Sequence, residues 1–136
     1  MRKARALAAS VFISSISSQA LAVEWVEAGR ADTTTYYVDI ESISKNETTA
    51  SARVKRVWDD NPDGWYESIL LEVHDCFRHR LKITLMQSHH RSGAVSELTI
   101  GNGLPGKWEK IAPAPATMHH IHAQICEYQA NNIPPS

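Results

Sequence analysis

The chain has 136 residues, with 14 Lys and Arg against 15 Asp and Glu, so its formal net charge is −1. This length predicts one domain with a single modest core. The charge argues against a nucleic-acid-binding protein, which typically has a basic patch on a basic domain.

The N-terminal segment has the pattern of a secretory signal peptide. Three basic residues stand within the first five positions, a moderately apolar run with interrupting serines follows, and Ala20-Leu21-Ala22 ends the segment. This pattern predicts cleavage after Ala22, because the run is too short and too polar to span a bilayer. The expected domain is then 23–130, followed by a frayed tail, 131–136. Without the three basic residues the 14 Lys and Arg become 11, against 15 acidic residues, for a net −4.

Alternating and β-branched residues predict six strands, and the best helical pattern follows them. The strands are expected at 23–28, 33–38, 48–58, 65–75, 78–88 and 94–100. The fifth is the cleanest, with Leu81, Ile83 and Leu85 on one face. Alternation breaks at Arg56-Val57, which predicts a β-bulge. The fold class is therefore α+β, a sheet with a C-terminal helix.

Two turns are predicted between these strands. Asp39 can cap a short helical turn after the second strand, with an expected contribution of about 1 kcal/mol to stability. Asn61-Pro62-Asp63-Gly64 is a strong hairpin turn, since Pro fixes φ and Gly tolerates a positive φ. The segment 59–64 also matches the first half of a calcium loop, but Leu70 stands where that loop needs Glu.

The C-terminal helix is expected to begin with a Thr117 cap and to run to about Gln129. Its apolar stripe contains Met118, Ile121 and Ile125, together with His122. His119 and His122 are three positions apart and can share a face, which is one spacing that a metal site uses. A tight site needs three or four ligands, so metal binding through these histidines is an alternative hypothesis and surface histidines are the main interpretation.

The two cysteines, Cys76 and Cys126, both lie after the signal segment, so an exported chain is expected to pair them. A loop of about 50 residues gives roughly 4 kcal/mol in the chain-entropy model. His74, Asp75 and Cys76 are residue types of a cysteine nucleophile, but strand neighbours point to opposite faces. The glycine-rich loop 101–106 lacks a phosphate-loop pattern. No catalytic residue and no cofactor is therefore predicted.

Several short motifs, in order, resemble the surface-adhesin protein E family of small exported proteins of Gram-negative bacteria. They are Trp25, Tyr36-Tyr37-Val38-Asp39 with Ser42-Ile43, Trp58, Asp75-Cys76 with Arg78 and Arg80, Trp108 and Cys126. The resemblance implies a six-stranded antiparallel sheet with a C-terminal helix held on one face by a Cys76–Cys126 disulfide. It also implies binding to host matrix and serum proteins, although this chain lacks the lipid-anchor cysteine of the founding adhesin.

These observations favour an exported, non-enzymatic protein-binding module, adhesin-like, in the bacterial cell envelope. The expected partner is an envelope protein or a host matrix protein, engaged through an open sheet face or an edge strand. A homodimer is an open alternative, as is a periplasmic metal-binding accessory protein that uses His119 and His122. The sequence leaves open whether the protein is periplasmic or reaches the cell surface, and which sheet face the helix covers.

Overall fold

The computed structural model describes residues 22–99 and 106–129. Within them lie strands β1 (Trp25–Ala31), β2 (Thr34–Asp39), β3 (Ser44–Lys45), β4 (Thr49–Trp58), β5 (Trp65–Asp75), β6 (Arg80–His90), β7 (Val95–Thr99) and β8 (Glu109–Lys110), a 3-10 turn (Ile40–Ser42) and helix α1 (Thr117–Glu127). The predicted signal peptide apart from Ala22, the glycine-rich loop apart from Gly106, and the predicted tail lie outside the described residues.

The long strands form one antiparallel sheet in the order β1-β2-β4-β5-β6-β7. Strand β3 pairs with β4, and β8 pairs with β6. The predicted sheet and its C-terminal helix are confirmed, but the described residues contain eight strands instead of about six. The two additional strands have two residues each, which is too short for an alternating pattern to be visible in the sequence.

Both predicted turns are confirmed. The Gly64 amide donates to the Asn61 carbonyl at 3.0 Å, and the Asp63 amide donates to the Asn61 side chain at 2.9 Å. Gly64 has φ +84°, a left-handed conformation that glycine adopts without strain. At the other turn, Asp39 caps the 3-10 segment and accepts from the Glu41 amide at 3.2 Å.

The core lies between the helix and the middle of the sheet. Ile121 and Ile125 of α1 are fully buried against Ala50, Ala52 and Val54 of β4. Small alanine side chains on the strand leave room for the larger isoleucines, as dense packing requires. The helix therefore covers the sheet face that contains these three β4 residues, and the opposite face has no helix over it among residues 22–99 and 106–129.

The predicted bulge at Arg56-Val57 is wrong. Arg56 pairs with Ser68 and Val57 with Glu67 in an unbroken register. Arg56 lies on the same face as Val54, two positions further along β4, where its guanidinium lies 5.8 Å from the ring of Tyr36. A polar residue on this face breaks the hydrophobic alternation without breaking the strand pairing.

The predicted Thr117 cap is also wrong. Ala116 occupies the N-cap position of α1 and makes no side-chain capping hydrogen bond. The Thr117 hydroxyl instead donates to the Arg30 carbonyl at 3.3 Å, which joins the start of the helix to β1. Gly29 lies beside it, where an added Cβ would stand 3.0 Å from the Thr117 methyl carbon. This start of the helix is positioned by tertiary contact with β1.

A disulfide joins Cys76, just after β5, to Cys126 in the last turn of α1, with 5.7 Å between the Cα atoms. The predicted pairing is present in the structure, and the bond holds the helix on the sheet. In the described part of the chain, no helix has the length and apolar character needed to cross a membrane.

Candidate functional site

The sheet face opposite the helix carries a half-buried apolar strip. Strand pairing places Arg53, Leu71 and Leu85 in one row across β4, β5 and β6. The next row contains Ile69, which pairs with Gln87 on β6. Leu71, Leu85 and Ile69 are only half-buried, and they line a shallow cavity of about 250 Å³. We refer to the surface formed by Arg53, Lys55, Ile69, Leu71 and Leu85 as the open face.

Lys55 extends the open face toward the edge strand. Its Nζ atom lies 4.6 Å from the ring centroid of Trp25 and 5.0 Å from that of Tyr37. A lysine ammonium at this distance is attracted to the electron-rich faces of aromatic rings. The arrangement holds two large aromatic side chains on the side of the sheet that the helix leaves uncovered. Aromatic and cationic groups of this kind dominate many protein interfaces.

Asp39 fixes the position of Arg53 on the open face. The Asp39 side chain is fully buried and forms an ion pair with Arg53, whose side chain remains 37% exposed. The same carboxylate accepts from the Glu24 amide at 3.0 Å and from the Glu41 amide. Because its partner is fixed at several points, Arg53 presents its charge in a defined place beside the apolar strip.

A second exposed feature is the turn that connects β5 to β6. Asp75 accepts hydrogen bonds from the amides of Arg78 at 2.9 Å and Phe77 at 3.2 Å, and from Arg80 Nε at 3.1 Å. The hydrogen bond from the Arg78 amide is the main cause that lowers the pKa of Asp75 below its ordinary value, and the Arg80 guanidinium contributes. The turn is thus held from within by one ionised carboxylate.

The histidine named for metal binding, His122, belongs to a buried polar chain beneath α1. The Glu72 carboxylate accepts from His74 Nε2 at 2.9 Å, and the Nδ1 atoms of His74 and His122 are 2.8 Å apart. His74 therefore bridges the Glu72 carboxylate and the His122 ring through its two ring nitrogens. All three residues are buried.

Burial governs the titration of His122. The pKa of His122 is lowered from 6.5 to about 4; burial is the largest cause, the nearby His74, His79 and His119 contribute, and Asp75 opposes them. His122 also contacts the disulfide, with its Nε2 3.7 Å from Cys126 Sγ. A neutral, buried ring under the helix contributes to packing and to the hydrogen-bonded chain.

The structure gives no support to a metal site at His119 and His122. His122 lies buried against His74, whereas His119 is half-buried and contacts His120. Over the two described ranges, no group of three or more His, Cys, Asp or Glu residues is arranged to hold a metal ion. Cys76, the nucleophile considered from the sequence, is bonded to Cys126.

Sequence reasoning missed the Glu72–His74 pair, although a signal for it exists. Glu72 lies two positions from both Leu70 and His74, so the two-residue period of a strand places all three on one face. A charged residue between two that face the core predicts a buried polar partner. Sequence reasoning also missed Phe77, because an isolated aromatic residue in a turn gives no indication of its exposure.

Comparison with known proteins gives one finding. The model of the family described as surface-adhesin protein E matches residues 25–127, from β1 to the end of α1. No curated protein matches the chain. The matched region is more than half of the chain and includes every described strand and the disulfide. The chain belongs to the surface-adhesin protein E family.

Proposed function

We propose that this chain is an exported, non-enzymatic protein-binding module of the bacterial envelope that binds its partner through the open face. One observation carries the proposal: Ile69, Leu71 and Leu85 form an apolar strip that the helix leaves uncovered. The fixed Arg53 and Lys55 border this strip. Family membership supports the adhesin-like character of the binding.

The chemistry of the open face suits a protein partner. Buried protein interfaces combine an apolar centre with aromatic and arginine side chains, and a few central residues carry most of the binding energy. Here the apolar rows lie at the centre of the sheet, with Arg53 and Lys55 at their margin on β4 and Glu97 at the opposite margin on β7. The partner would therefore present an apolar patch with carboxylates beside it, as an envelope protein, a host matrix protein or a second copy of this chain could.

The experiment introduces a photo-crosslinking amino acid at Leu71 in intact cells, with His120 as the control position. His120 is exposed on the helix, on the other side of the molecule. We expect protein adducts from position 71 and none from position 120. Cell fractionation into periplasm, outer membrane and medium then tests export, and sequencing of the mature N-terminus tests cleavage after Ala22.

The partner identified by crosslinking is then titrated against purified variants. We expect Leu71→Glu and Leu85→Glu each to weaken binding by about tenfold or more, since both place a charge in the centre of the contact. His120→Glu is the matched control and should bind as the wild type does. Equal adducts from positions 71 and 120, or unchanged affinity of the Leu71→Glu variant, would contradict the proposal.

A further inference from the structure

The turn between β5 and β6 presents the most exposed large hydrophobic side chain of the described residues. Phe77 is 80% exposed, against 58% for Val95 and 54% for Leu98. Single exposed apolar residues are common on protein surfaces and need no special explanation. The surroundings of Phe77 distinguish it, because its backbone is fixed and the basic residues Arg78, Arg80 and Lys110 lie in and beside the turn.

The backbone of this turn is held at both ends. Asp75 accepts from the Phe77 and Arg78 amides, and the Cys76 amide donates to the Thr48 carbonyl at 2.9 Å. Cys76 is also bonded to α1 through the disulfide, and the His79 carbonyl accepts from the Ile111 amide at 3.1 Å. A side chain displayed on a fixed backbone loses little conformational entropy when it binds.

Positive charge is concentrated around Phe77 in a chain whose net charge is −1. The pairing of β6 with β8 places Arg80 opposite Lys110. The centroid of the Trp108 ring lies 4.5 Å from the Arg80 guanidinium and 4.7 Å from Lys82 Nζ. This group, the basic turn cluster, contains four of the 14 Lys and Arg residues: Arg78, Arg80, Lys82 and Lys110. Of these, only Arg80 has a salt bridge within the described ranges, to Asp75, and the acidic Glu109 precedes Lys110 on β8.

A cleft of about 380 Å³ lies beside the turn. His79, Lys110 and His119 supply its polar groups, and Ile111 and Pro113 supply its apolar lining. The ammonium and the two imidazoles can donate hydrogen bonds to phosphate oxygens. The apolar lining suits the carbon atoms attached to a phosphate. The groups that line the cleft are therefore complementary to a phosphodiester headgroup, and the cleft lies beside the turn that carries the exposed Phe77 ring.

We propose that the Phe77 turn docks on an anionic phospholipid bilayer surface. The Phe77 ring enters the boundary between headgroups and acyl chains, the basic turn cluster contacts the phosphates, and the cleft accommodates one headgroup. Lys and Arg are attracted to anionic lipid by about 1 kcal/mol each, which corresponds to about fivefold in affinity per residue. Lys82 and Arg80 pair with Val73 and Asp75, in the rows that follow Leu71 and Leu85 on the same sheet face. This surface therefore borders the open face at the end of the sheet and extends the proposed function.

The bilayer explains the observations better than a protein surface does. A protein partner would need a pocket for Phe77 and a carboxylate for each unpaired cation of the cluster. A bilayer needs neither, because it offers a continuous layer of phosphates over a fluid apolar phase. Aromatic rings with basic neighbours are the side chains that favour this boundary.

The test measures partition of the protein, purified from expressing cells in its processed form, onto lipid vesicles. Vesicles of phosphatidylcholine alone are compared with vesicles that contain phosphatidylglycerol, at low and high salt. All variants have the same N-terminus, so differences among them report only the turn. Leu98→Ala is the matched control for Phe77→Ala, and Arg91→Glu is the control for Arg78→Glu, since Leu98 and Arg91 are exposed elsewhere.

We expect binding to the anionic vesicles that decreases with salt and is much weaker on phosphatidylcholine. Phe77→Ala should reduce it roughly tenfold by loss of apolar burial, and Arg78→Glu roughly 25-fold by a change of two charges. Both controls should bind as the wild type does. A Phe77→Trp variant adds one tryptophan, whose emission is obtained by subtracting the wild-type spectrum. On anionic vesicles this emission should shift to the blue and be quenched by brominated acyl chains.

Three results would overturn the proposal. The first is equal binding to neutral and anionic vesicles, and the second is a wild-type partition coefficient for Phe77→Ala. The third is binding to a soluble sulfated glycan or to an acidic protein with none to anionic vesicles, which would assign the turn to another class of partner.

Discussion

Acidification should destabilise the fold through His122. This side chain is 4% exposed, and burial lowers its pKa from 6.5 to about 4. In the unfolded chain the pKa of His122 is near 6.5. Between pH 6.5 and 4 the unfolded chain therefore binds a proton at this side chain that the folded chain does not bind. Stability decreases as pH falls through this window and levels off below it, because both states are then protonated.

The size of the effect follows from these two pKa values. Between pH 7 and pH 4.5 they give a loss of about 2 kcal/mol in the free energy of unfolding. The lower limit of pH 4.5 is chosen because Asp75, whose pKa is lowered from 3.8, loses its stabilising charge only in more acidic solution. The chosen range thus isolates the histidine from this carboxylate.

The assay is urea unfolding followed by tryptophan fluorescence at pH 7, 6, 5 and 4.5. His122→Gln removes the titrating group, and His120→Gln is the control on the exposed side of the same helix. We expect the wild type and His120→Gln to lose stability together, and the His122→Gln profile to be flatter by about 2 kcal/mol over the range. Parallel profiles for His122→Gln and the wild type would refute the assignment, whatever their difference at pH 7.

Two further predictions concern the groups that hold the sheet and helix together. Replacing Cys76 and Cys126 by Ala removes a cross-link between residues 50 positions apart. It should lower the free energy of urea unfolding by about 4 kcal/mol, and a loss below about 1 kcal/mol would contradict this cross-link model. Asp39→Ala leaves Arg53 and two amides without their buried acceptor, so thermal unfolding should show a loss of about 3 kcal/mol. The exposed Asp60→Ala is its control, and equal losses in the two variants would show that the buried carboxylate has no special role.

The sheet and helix were predictable because each depends on a periodic pattern within one segment. Leu81, Ile83 and Leu85 alternate in the sequence of β6, and Ile121 and Ile125 repeat at helical spacing. These are local signals that survive in a single sequence. The Asp39 cap was predictable for the same reason, since the residues that it caps follow it directly. The expected single face for the three β6 residues is wrong, because a register shift opposite Leu71 and Glu72 leaves Leu81 and Ile83 on the helix side and places Leu85 on the open face.

Features that depend on distant residues were not predictable, apart from the disulfide, which followed from the presence of two cysteines in a chain expected to be exported. The 1 kcal/mol expected for Asp39 was argued from its cap alone, whereas its contact with Arg53 comes from pairing of β2 with β4. Thr117 was assigned to capping, but Arg30 lies 87 positions away and receives its hydrogen bond. The open face and the basic turn cluster are likewise assembled from separate strands. Periodicity identifies which residues share a face, but tertiary contacts decide which partner each one meets.

The attachment of the helix and the geometry of the Phe77 turn depend on the same bond. Cys76 begins the turn, Cys126 lies in the last turn of the helix, and His122 contacts the disulfide between them. The rows that form the open face lie further from the turn along the same sheet face, in the middle of β4, β5 and β6, where strand pairing fixes their spacing. Reduction of the disulfide should therefore loosen the turn and the helix together before it alters the open face. The two proposed surfaces are separable in this sense, because one depends on a covalent bond and the other on the hydrogen-bonded sheet.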